Sequence, residues 1–425
     1  MKFKCGQSRL AGKVAIPGSK SHTIRAVAIS ALAPGQSRIK APLLSQDTLS
    51  AVACYKAVGA VIEDRGEEWL VTGVGAWPSV PENIIDVGNS GTTLNVIMGT
   101  CALIEKGLSV LTGDEQIRRR PSGALADSLN QLGASVRSTR GNAFPPYVVG
   151  GPIKGGEATV DAVSSQYLSS LLMCCPLADG DSAIRVTRLN EQPYVQMTLD
   201  WLKTQGIKVA HDGFSEFNIP GRQSYLPVNR RIPADFSSAT FFLCAGAIGD
   251  NDVTVCGMDM NDSQGDRAVV DYLRAMGADV AVAGDEIRVR RGNLSGAEID
   301  LNATPDALPM LAALACFARG ETRLVNVPQA RIKETDRIAV MRAELAKLGA
   351  DVRELPDGLI VRESRLKSCK VNGHADHRIV MALAIAGTAL AGETVIEQSE
   401  AAGVTFPTFA GLVRELDGTL EEIPD

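Results

Sequence analysis

The segment Lys347-Leu348-Gly349-Ala350 is one copy of a pattern that recurs along the whole chain. In each copy a glycine follows an amphipathic, helix-like run and precedes a strand-like run. A glycine just beyond a helix accepts the left-handed conformation that ends many helices. A six-fold period of about 72 residues predicts a repeat architecture. The recurring glycines are Gly59, Gly133, Gly206, Gly277, Gly349 and Gly418.

A second glycine series with the same period is interleaved with the first, and all its members but Gly249 soon precede a strand-like run. Its members are Gly35, Gly107, Gly180, Gly249, Gly320 and Gly392. Each repeat also contains a helix-like run that is apolar on every side, which is typical of a buried helix. These runs are Ile24–Leu32, Leu94–Ile104, Tyr167–Leu177, Thr240–Ile248, Leu308–Phe317 and Ile379–Leu390. Six buried helices and roughly 24 short strands predict an α+β fold with sheets around the helices.

The repeats divide most naturally into two groups of three, because a chain of 425 residues is large for one domain. The best interior break is Asn229 to Pro233, and an equivalent break falls near Pro17-Gly18. We therefore predict one lobe over residues 19–232 and a second over residues 1–18 and 233–425. The strand-like run Lys2 to Ile16 is assigned to the second lobe.

Composition excludes several classes of function. The net charge of −6 argues against a general nucleic-acid-binding surface, although local cation clusters still allow small anionic ligands. Nine cysteines and four histidines show no metal-ligand spacing, so neither a metal nor another cofactor is predicted. No signal peptide or membrane span is visible, and unpaired thiols suit a reducing compartment, so we expect a cytoplasmic protein.

Polar clusters stand in front of the six apolar helices, where Ser, Thr, Asp and Asn often act as helix caps. Capping accounts well for Asp235 to Ser238. It does not account for Lys20, Arg25, Gln166, His377 or Arg378, because cations at a helix N-terminus are mildly unfavourable unless an anion is bound there. A ligand with more than one anionic group would explain the pattern.

Two further cation clusters precede amphipathic helices, namely Arg118-Arg119-Arg120-Pro121 and the segment from Arg331 to Arg337. The spacing of apolar residues after the second cluster predicts a helix whose first turn includes part of that cluster. In such a helix Glu334 and Arg337 would share a face. A solvated helix start with local ion pairs is the alternative.

Two common nucleotide-binding motifs are absent. Gly18-Ser19-Lys20-Ser21 ends like a phosphate-binding loop, but Lys13 occupies the position of the required first glycine. Gly73-Val74-Gly75 leads into Trp77-Pro78 rather than into a helix, so the dinucleotide fingerprint also fails. No residue pattern demands a covalent nucleophile.

The order of the polar motifs resembles that of the 5-enolpyruvylshikimate-3-phosphate synthase family over the whole chain. The motifs are Pro-Gly-Ser-Lys-Ser, Gly-Asn-Ser-Gly-Thr-Thr, Leu-Thr-Gly-Asp with Arg-Arg-Arg-Pro, Val-Ser-Ser-Gln-Tyr-Leu, Pro-Asp-Ala, Arg-Ile-Lys-Glu-Thr-Asp-Arg and Asp-His-Arg. The resemblance implies two lobes of three βαβαββ units, of the inverse α/β barrel type, joined by a double crossover. It also implies an active site in the cleft between the lobes, in a protein that we expect to be a monomer.

The resemblance implies transfer of the enolpyruvyl group of phosphoenolpyruvate to the 5-hydroxyl of shikimate 3-phosphate, with release of phosphate. The residues implied for shikimate 3-phosphate are Lys20, Ser21, Arg25, Ser164, Ser165, Gln166, Tyr194, Asp306, Gln329 and Lys333. Those implied for phosphoenolpyruvate are Lys20, Gly91, Arg120, Gln166, Glu334, Arg337, His377 and Arg378. Asp306, Glu334 and Lys20 are the candidates for proton transfer, because the reaction needs a base at the attacking hydroxyl and an acid at the enol carbon.

Three positions depart from the family pattern. Val404 stands where a lysine is usual, Glu191 where a serine is common, and Asn95 where many members have arginine. Two alternatives to the synthase therefore stay open. One is a diverged relative that binds anionic ligands without turnover, and the other is an enolpyruvyl transferase with a different acceptor.

Overall fold

The computed structural model describes residues 1–424, which form two compact units. The first unit is Gly18–Ile232, and the second consists of Met1–Pro17 together with the chain from Pro233 onward. Each unit has its own hydrophobic core of buried aliphatic and aromatic side chains.

The chain begins with two strands, β1 (Lys2–Gly6) and β2 (Ala11–Ala15), where the sequence predicted one continuous strand. The prediction was wrong because the two strands belong to different sheets. Strand β1 pairs antiparallel with Glu393–Glu397, whereas β2 pairs in parallel with Asp252–Cys256. Apolar alternation cannot distinguish one long strand from two that diverge.

The first unit contains three repeats with a common order of elements. Its helices are α1 (Lys20–Ala31), α2 (Gln46–Ala57), α3 (Gly91–Cys101), α4 (Gly123–Gln131), α5 (Ser165–Cys174) and α6 (Gln192–Thr204). Its strands are β3 (Pro34–Lys40), β4 (Val61–Asp64), β5 (Glu68–Val74), β6 (Ile85–Asp86), β7 (Ser109–Thr112), β8 (Ser135–Ser138), β9 (Tyr147–Gly150), β10 (Gly156–Ala162), β11 (Ser182–Leu189), β12 (Ala210–Asp212), β13 (Glu216–Ile219) and β14 (Asn229–Arg231).

The second unit repeats this order three more times. Its helices are α7 (Phe236–Gly246), α8 (Val269–Ala275), α9 (Leu308–Ala315), α10 (Arg337–Lys347), α11 (His377–Thr388), α12 (Ala402–Thr405) and α13 (Phe409–Glu415). Beside β1 and β2, its strands are β15 (Asp252–Cys256), β16 (Asp279–Ala283), β17 (Glu286–Arg290), β18 (Glu298–Asp300), β19 (Glu321–Val325), β20 (Asp351–Leu355), β21 (Gly358–Arg362), β22 (Lys370–Asn372), β23 (Glu393–Glu397) and β24 (Thr419–Ile423).

Six four-stranded sheets share one topology, in which one parallel pair is followed by two antiparallel pairs. The second repeat shows it directly, with the order β6-β7-β9-β8. In the first repeat the strand that should precede α1 is replaced by β14 from the end of the unit, which lies parallel to β3. In the fourth repeat β2 takes that place, and in the sixth β1 lies between β23 and β24.

The six predicted buried helices are present, which confirms the α+β fold class. They are α1, α3, α5, α7, α9 and α11, and nearly all their residues are buried. Five of them begin before the predicted apolar run because the polar residues ahead of it already form the first helical turn. Even α6, with 13 residues, is too short to cross a bilayer, and no other helix within residues 1–424 is long and apolar enough.

Five of the six glycines in the first series have the positive φ expected of a helix-ending residue, for example 107° at Gly59 and 88° at Gly277. The prediction was wrong for Gly418, because the preceding Asp417 has the left-handed conformation instead, with φ of 63°. Gly418 is needed there for space. A Cβ atom on it would lie 2.5 Å from Cγ1 of Val413.

Candidate active site

Helix α1 places three of the predicted residues on one helical segment of the first unit. Lys20 is its first residue, and its Nζ lies 3.1 Å from Oδ2 of the buried Asp47 at the start of α2. Ser19, the N-cap residue, makes no side-chain hydrogen bond to the helix. Ser21 supplies its backbone carbonyl to Arg25 one turn later. The predicted cluster at this helix start therefore carries a cation rather than a capping side chain.

Arg25 is only 4% exposed, and every hydrogen bond that it donates ends on an uncharged oxygen. Nε donates to Oγ1 of Thr198 at 2.9 Å, and Nη1 donates to the carbonyl of Ser21 at 3.0 Å. Nη2 donates to the carbonyl of Tyr194 at 3.0 Å and to Oγ of Ser169 at 3.3 Å. Burial lowers the pKa of Arg25 to about 10. Within residues 1–424 no carboxylate forms an ion pair with this guanidinium.

Ser164 and Ser165 begin α5, but their hydroxyl groups have different partners. Ser164 Oγ accepts the backbone N–H of Gln166 at 3.4 Å and so caps the helix. Ser165 is buried, and its Oγ donates to Oε2 of Glu191 at 2.7 Å. Glu191 is 2% exposed and has a left-handed backbone with φ of 58° immediately before α6. The carboxylate that replaces the expected serine is therefore bonded to a predicted substrate-binding hydroxyl.

Gln166 connects α5 with α3. Its Oε1 accepts from Nδ2 of Asn95 at 2.8 Å, and its Nε2 donates to Oγ1 of Thr92 at 3.2 Å. Gly91, the first residue of α3, faces the guanidinium of Arg120, and a Cβ atom there would lie 2.7 Å from the Arg120 Cζ. Glycine at this position is thus what allows Arg120 to approach the helix start.

In the second unit Arg337 is 1% exposed and bonded to three carboxylates. Nη1 lies 2.7 Å from Oδ1 of Asp306, Nη2 lies 2.5 Å from Oε2 of Glu334, and Nε lies 2.8 Å from Oδ2 of Asp376. Burial alone would lower the pKa of Arg337, but the three carboxylates, with Asp376 first among them, raise it above its usual value. Two of the three candidates for proton transfer therefore share one guanidinium.

Asp306 joins Arg337 to a second cation. Its Oδ2 lies 2.9 Å from Nη2 of Arg378, while its Oδ1 contacts Arg337. Arg378 follows His377 in the first turn of α11, and Asp376 caps that helix by accepting the Arg378 backbone N–H at 2.9 Å. The structure thus brings together Asp306, Glu334, Arg337 and Arg378.

The charged segment before α10 differs from its prediction. The helix begins only at Arg337, because Asp336 acts as its N-cap and accepts the backbone N–H of Ala339 at 3.0 Å. Pro328–Ile332 forms a 3-10 turn, and Lys333 is extended. Glu334 therefore contacts Arg337 from the connecting segment rather than along a helix face. Asp306 does not cap a long helix either, since it lies within the 3-10 turn Pro305–Ala307.

Gln329 and His377 occupy the remaining predicted positions in the second unit. Gln329 is buried in the 3-10 turn, where its Nε2 donates to the carbonyl of Asn302 at 3.0 Å. His377 is the first residue of α11 and is also buried.

Asp266 is a buried carboxyl group that the sequence reading missed. It is 1% exposed, and the hydroxyl of Ser237 donates to its Oδ2. Burial first, and the negative charge of Asp306 second, raise the pKa of Asp266 to about 6. The sequence did contain one signal for Asp266, namely its position. Gln264-Gly265-Asp266 lies just before α8, in the same place in its repeat as Arg118 to Arg120 before α4 and the charged segment before α10.

Three comparisons with known proteins agree with one another. Residues 4–412 match the model of the EPSP synthase (3-phosphoshikimate 1-carboxyvinyltransferase) family. The chain is 51% identical to a 3-phosphoshikimate 1-carboxyvinyltransferase from Ruminiclostridium cellulolyticum, with 100% of each chain covered. It is 53% identical to one from Acetivibrio thermocellus, with 97% of each covered. Its fold is similar to that of an EPSP synthase structure from Acinetobacter baumannii, with a TM-score of 0.82, 27% identity and 99% of each chain covered.

Proposed function

We propose a function for this chain from one premise, namely that it belongs to the 3-phosphoshikimate 1-carboxyvinyltransferase (EPSP synthase) family. The chain transfers the enolpyruvyl group of phosphoenolpyruvate to the 5-hydroxyl of shikimate 3-phosphate and releases phosphate. This reaction belongs to the biosynthesis of aromatic amino acids.

The observation that best supports the chemistry is the set of ion pairs around Arg337. The reaction removes a proton from the 5-hydroxyl while that oxygen attacks C2 of phosphoenolpyruvate, and it adds a proton to C3. We assign the first step to the carboxylate of Asp306, which two guanidinium groups contact and whose ionised form they favour. We assign the second to Glu334 in its protonated form, which must take up a proton before C3 can receive one, with Lys20 as the alternative acid. The proton must later leave C3 as the bond to phosphate breaks.

The substrate-binding residues are proposals of the same kind. For shikimate 3-phosphate we propose Lys20, Ser21, Arg25, Ser164, Ser165, Gln166, Tyr194, Asp306, Gln329 and Lys333. For phosphoenolpyruvate we propose Lys20, Gly91, Arg120, Gln166, Glu334, Arg337, His377 and Arg378. The buried charge of Arg25 supports the first set, because a guanidinium surrounded by neutral oxygens favours an added anion. The close packing of Arg120 on Gly91 supports the second.

Glu191 changes how one part of this set is expected to work. Because Ser165 donates its hydroxyl proton to Glu191, it presents lone pairs rather than a donor to a phosphate. Ser164 instead accepts from the helix, so its own O–H stays available for donation. We propose that Ser164 is the phosphate donor of the pair and that Ser165 positions the start of α5.

The experiment that tests the function measures phosphate release from phosphoenolpyruvate with and without shikimate 3-phosphate. We expect release only when both substrates are present, with an equal amount of enolpyruvyl ether formed. Binding of both ligands without release would instead support the diverged relative. Release that requires another hydroxyl compound, such as a nucleotide sugar, would support the alternative acceptor.

We also propose that the protein acts as a monomer, since one chain carries every residue assigned above. We further propose that it works in the cytoplasm. Sedimentation at working concentrations and cell fractionation test this directly. A stable dimer, or recovery outside the cytoplasm, would contradict it.

A further inference from the structure

Asn95 is a buried polar residue in the middle of α3, at 4% exposure. Its Nδ2 makes two hydrogen bonds, to the backbone carbonyl of Gly91 at 2.9 Å and to Oε1 of Gln166 at 2.8 Å. Its own Oδ1 is buried and has no hydrogen-bond partner within residues 1–424. Leaving a buried oxygen without a partner is unfavourable, so the hydrogen bonds of Nδ2 must outweigh that cost. These two bonds therefore fix the orientation of the Asn95 side chain.

The backbone carbonyl of Gly91 determines which way the Asn95 amide faces. A carbonyl oxygen can only accept a hydrogen bond, so the NH2 group of Asn95 must point toward it. The second N–H of the same group then reaches Oε1 of Gln166. In this way a backbone group sets the orientation of one amide, and that amide sets the orientation of the next.

The consequence concerns which atom Gln166 presents to a ligand. With its oxygen bonded to Asn95, the Gln166 side chain directs its NH2 group toward Thr92, whose Oγ1 lies 3.2 Å away. That bond uses one N–H and leaves the other for an acceptor. A rotated amide would present an oxygen instead, and an oxygen would repel an anion.

We propose that Asn95 is a positioning residue that fixes the amide of Gln166 with its N–H donors toward the substrate anion. The inference rests on the proposed function in one respect, since it takes Gln166 to be in contact with phosphoenolpyruvate. Asn95 itself touches no substrate in this account, and it acts only through Gln166.

The substitution Asn95→Asp tests the proposal. The new carboxylate has no N–H, so Gln166 gains by rotating its amide and donating its NH2 group to the carboxylate. Its oxygen then faces the anion. Loss of a hydrogen bond to a charged group predicts a KM for phosphoenolpyruvate about 10- to 100-fold higher. We expect kcat to change far less, because the lost contact serves binding rather than the chemical step.

Thr100→Val is the matched control, because Thr100 is another buried polar residue of α3. Its Oγ1 bonds to Oη of Tyr55 at 2.9 Å and to the backbone carbonyl of Val96. Thr100→Val removes buried hydrogen bonds from the same helix, so it is expected to lower the melting temperature while leaving the KM for phosphoenolpyruvate at the parent value.

The Gln166→Leu background shows whether the effect passes through Gln166. We expect Gln166→Leu alone to raise the KM and expect Asn95→Asp to add nothing to it there. An equal rise from Asn95→Asp in both backgrounds would overturn the proposal, as would an unchanged KM in the single variant. If Gln166→Leu itself leaves the KM unchanged, the placement of Gln166 in the proposed site is wrong instead. Should Asn95→Asp fail to fold, Asn95→Leu must show a smaller rise that also disappears in the Gln166→Leu background.

Discussion

Arg25, inside α1, and Arg337, the first residue of α10, are both buried arginines, yet their surroundings are opposite. Arg25, in the first unit, donates only to hydroxyl and carbonyl oxygens. Arg337, in the second unit, is bonded to the carboxylates of Asp306, Glu334 and Asp376. Within residues 1–424 no carboxylate pairs with Arg25, whereas three carboxylates pair with Arg337.

The difference in bonding partners predicts different roles for Arg25 and Arg337. A buried cation without a carboxylate gains most from a bound anion, so the role that we propose for Arg25 is binding of the ligand. A cation shared by three carboxylates holds those groups at fixed positions, so Arg337 acts first on Asp306 and Glu334. The same distinction predicts that Arg25 matters mainly for binding and Arg337 mainly for folding and turnover.

The largest expected effect is that of Arg337→Met. It removes the cation and leaves three carboxylates close together in the interior, so we expect the free energy of unfolding to fall by about 3–5 kcal/mol. Turnover should be lost at the same time, because Asp306 and Glu334 lose their common partner. Urea denaturation and the phosphate-release assay measure the two effects.

Arg331→Met is the control for that loss. Arg331 also pairs with two carboxylates, Asp336 and Glu354, but its side chain is 26% exposed. We expect its replacement to cost about 1 kcal/mol or less, as for other ion pairs near the surface. Equal losses in the free energy of unfolding of Arg337→Met and Arg331→Met would show that the buried ion pairs of Arg337 contribute no more stability than the more exposed pairs of Arg331.

Arg25→Met should show the opposite balance. We expect the free energy of unfolding to fall by about 1–3 kcal/mol at most, because only neutral acceptors are left without a donor. Affinity for shikimate 3-phosphate should fall by about 2–5 kcal/mol if its phosphate pairs with this guanidinium. Calorimetric titration with shikimate 3-phosphate measures the affinity. Unchanged affinity in a folded variant would remove Arg25 from the site and end the comparison.

A smaller effect follows from the excess of carboxyl groups in the second unit. The pKa of Asp266 is raised from 3.8 to about 6, so between these values the native state binds more protons than the unfolded state. Stability therefore falls as pH rises through that window. Asp266→Asn does not titrate, so its stability relative to the parent should increase by roughly 2 kcal/mol from pH 4 to pH 7.

Urea denaturation of both proteins across this pH range measures the difference. The exposed Asp271, which pairs with Arg274, provides the control. Asp271→Asn controls for the replacement of a carboxylate by an amide at the surface, so the trend of Asp266→Asn must exceed the one measured for Asp271→Asn. A flat difference for Asp266→Asn would mean that Asp266 is ionised without penalty in the native protein.

The repeat and the buried helices were predictable because they depend on local patterns. Glycine spacing and all-round apolar runs are properties of consecutive residues, and they predicted α1, α3, α5, α7, α9 and α11. The division of the first 16 residues into β1 and β2 was not predictable in this way. Each strand is determined by pairing with residues more than 230 positions away, β1 with β23 and β2 with β15.

The candidate site was predictable at the level of motifs but not of contacts. The charged segment indicated Glu334 and Arg337. It did not indicate where the helix begins, because α10 starts at Arg337 only when Asp336 acts as its N-cap. Asp266 was missed because its burial depends on Ser237 of α7 and on packing that no local pattern records. The bond between Glu191 and Ser165 depends on a left-handed residue that only the folded chain reveals.

The turnover of Asp306→Asn tests the central claim most directly. This substitution keeps the shape of the side chain and removes its basic carboxylate. With both substrates saturating, we expect kcat to fall by about 10²- to 10⁴-fold while the protein stays folded. Asp300→Asn, at an exposed carboxylate at the end of β18, should keep the parent rate. A near-parent rate in folded Asp306→Asn would contradict the assignment of Asp306 as the base and, with it, the proposed role of the Arg337 cluster.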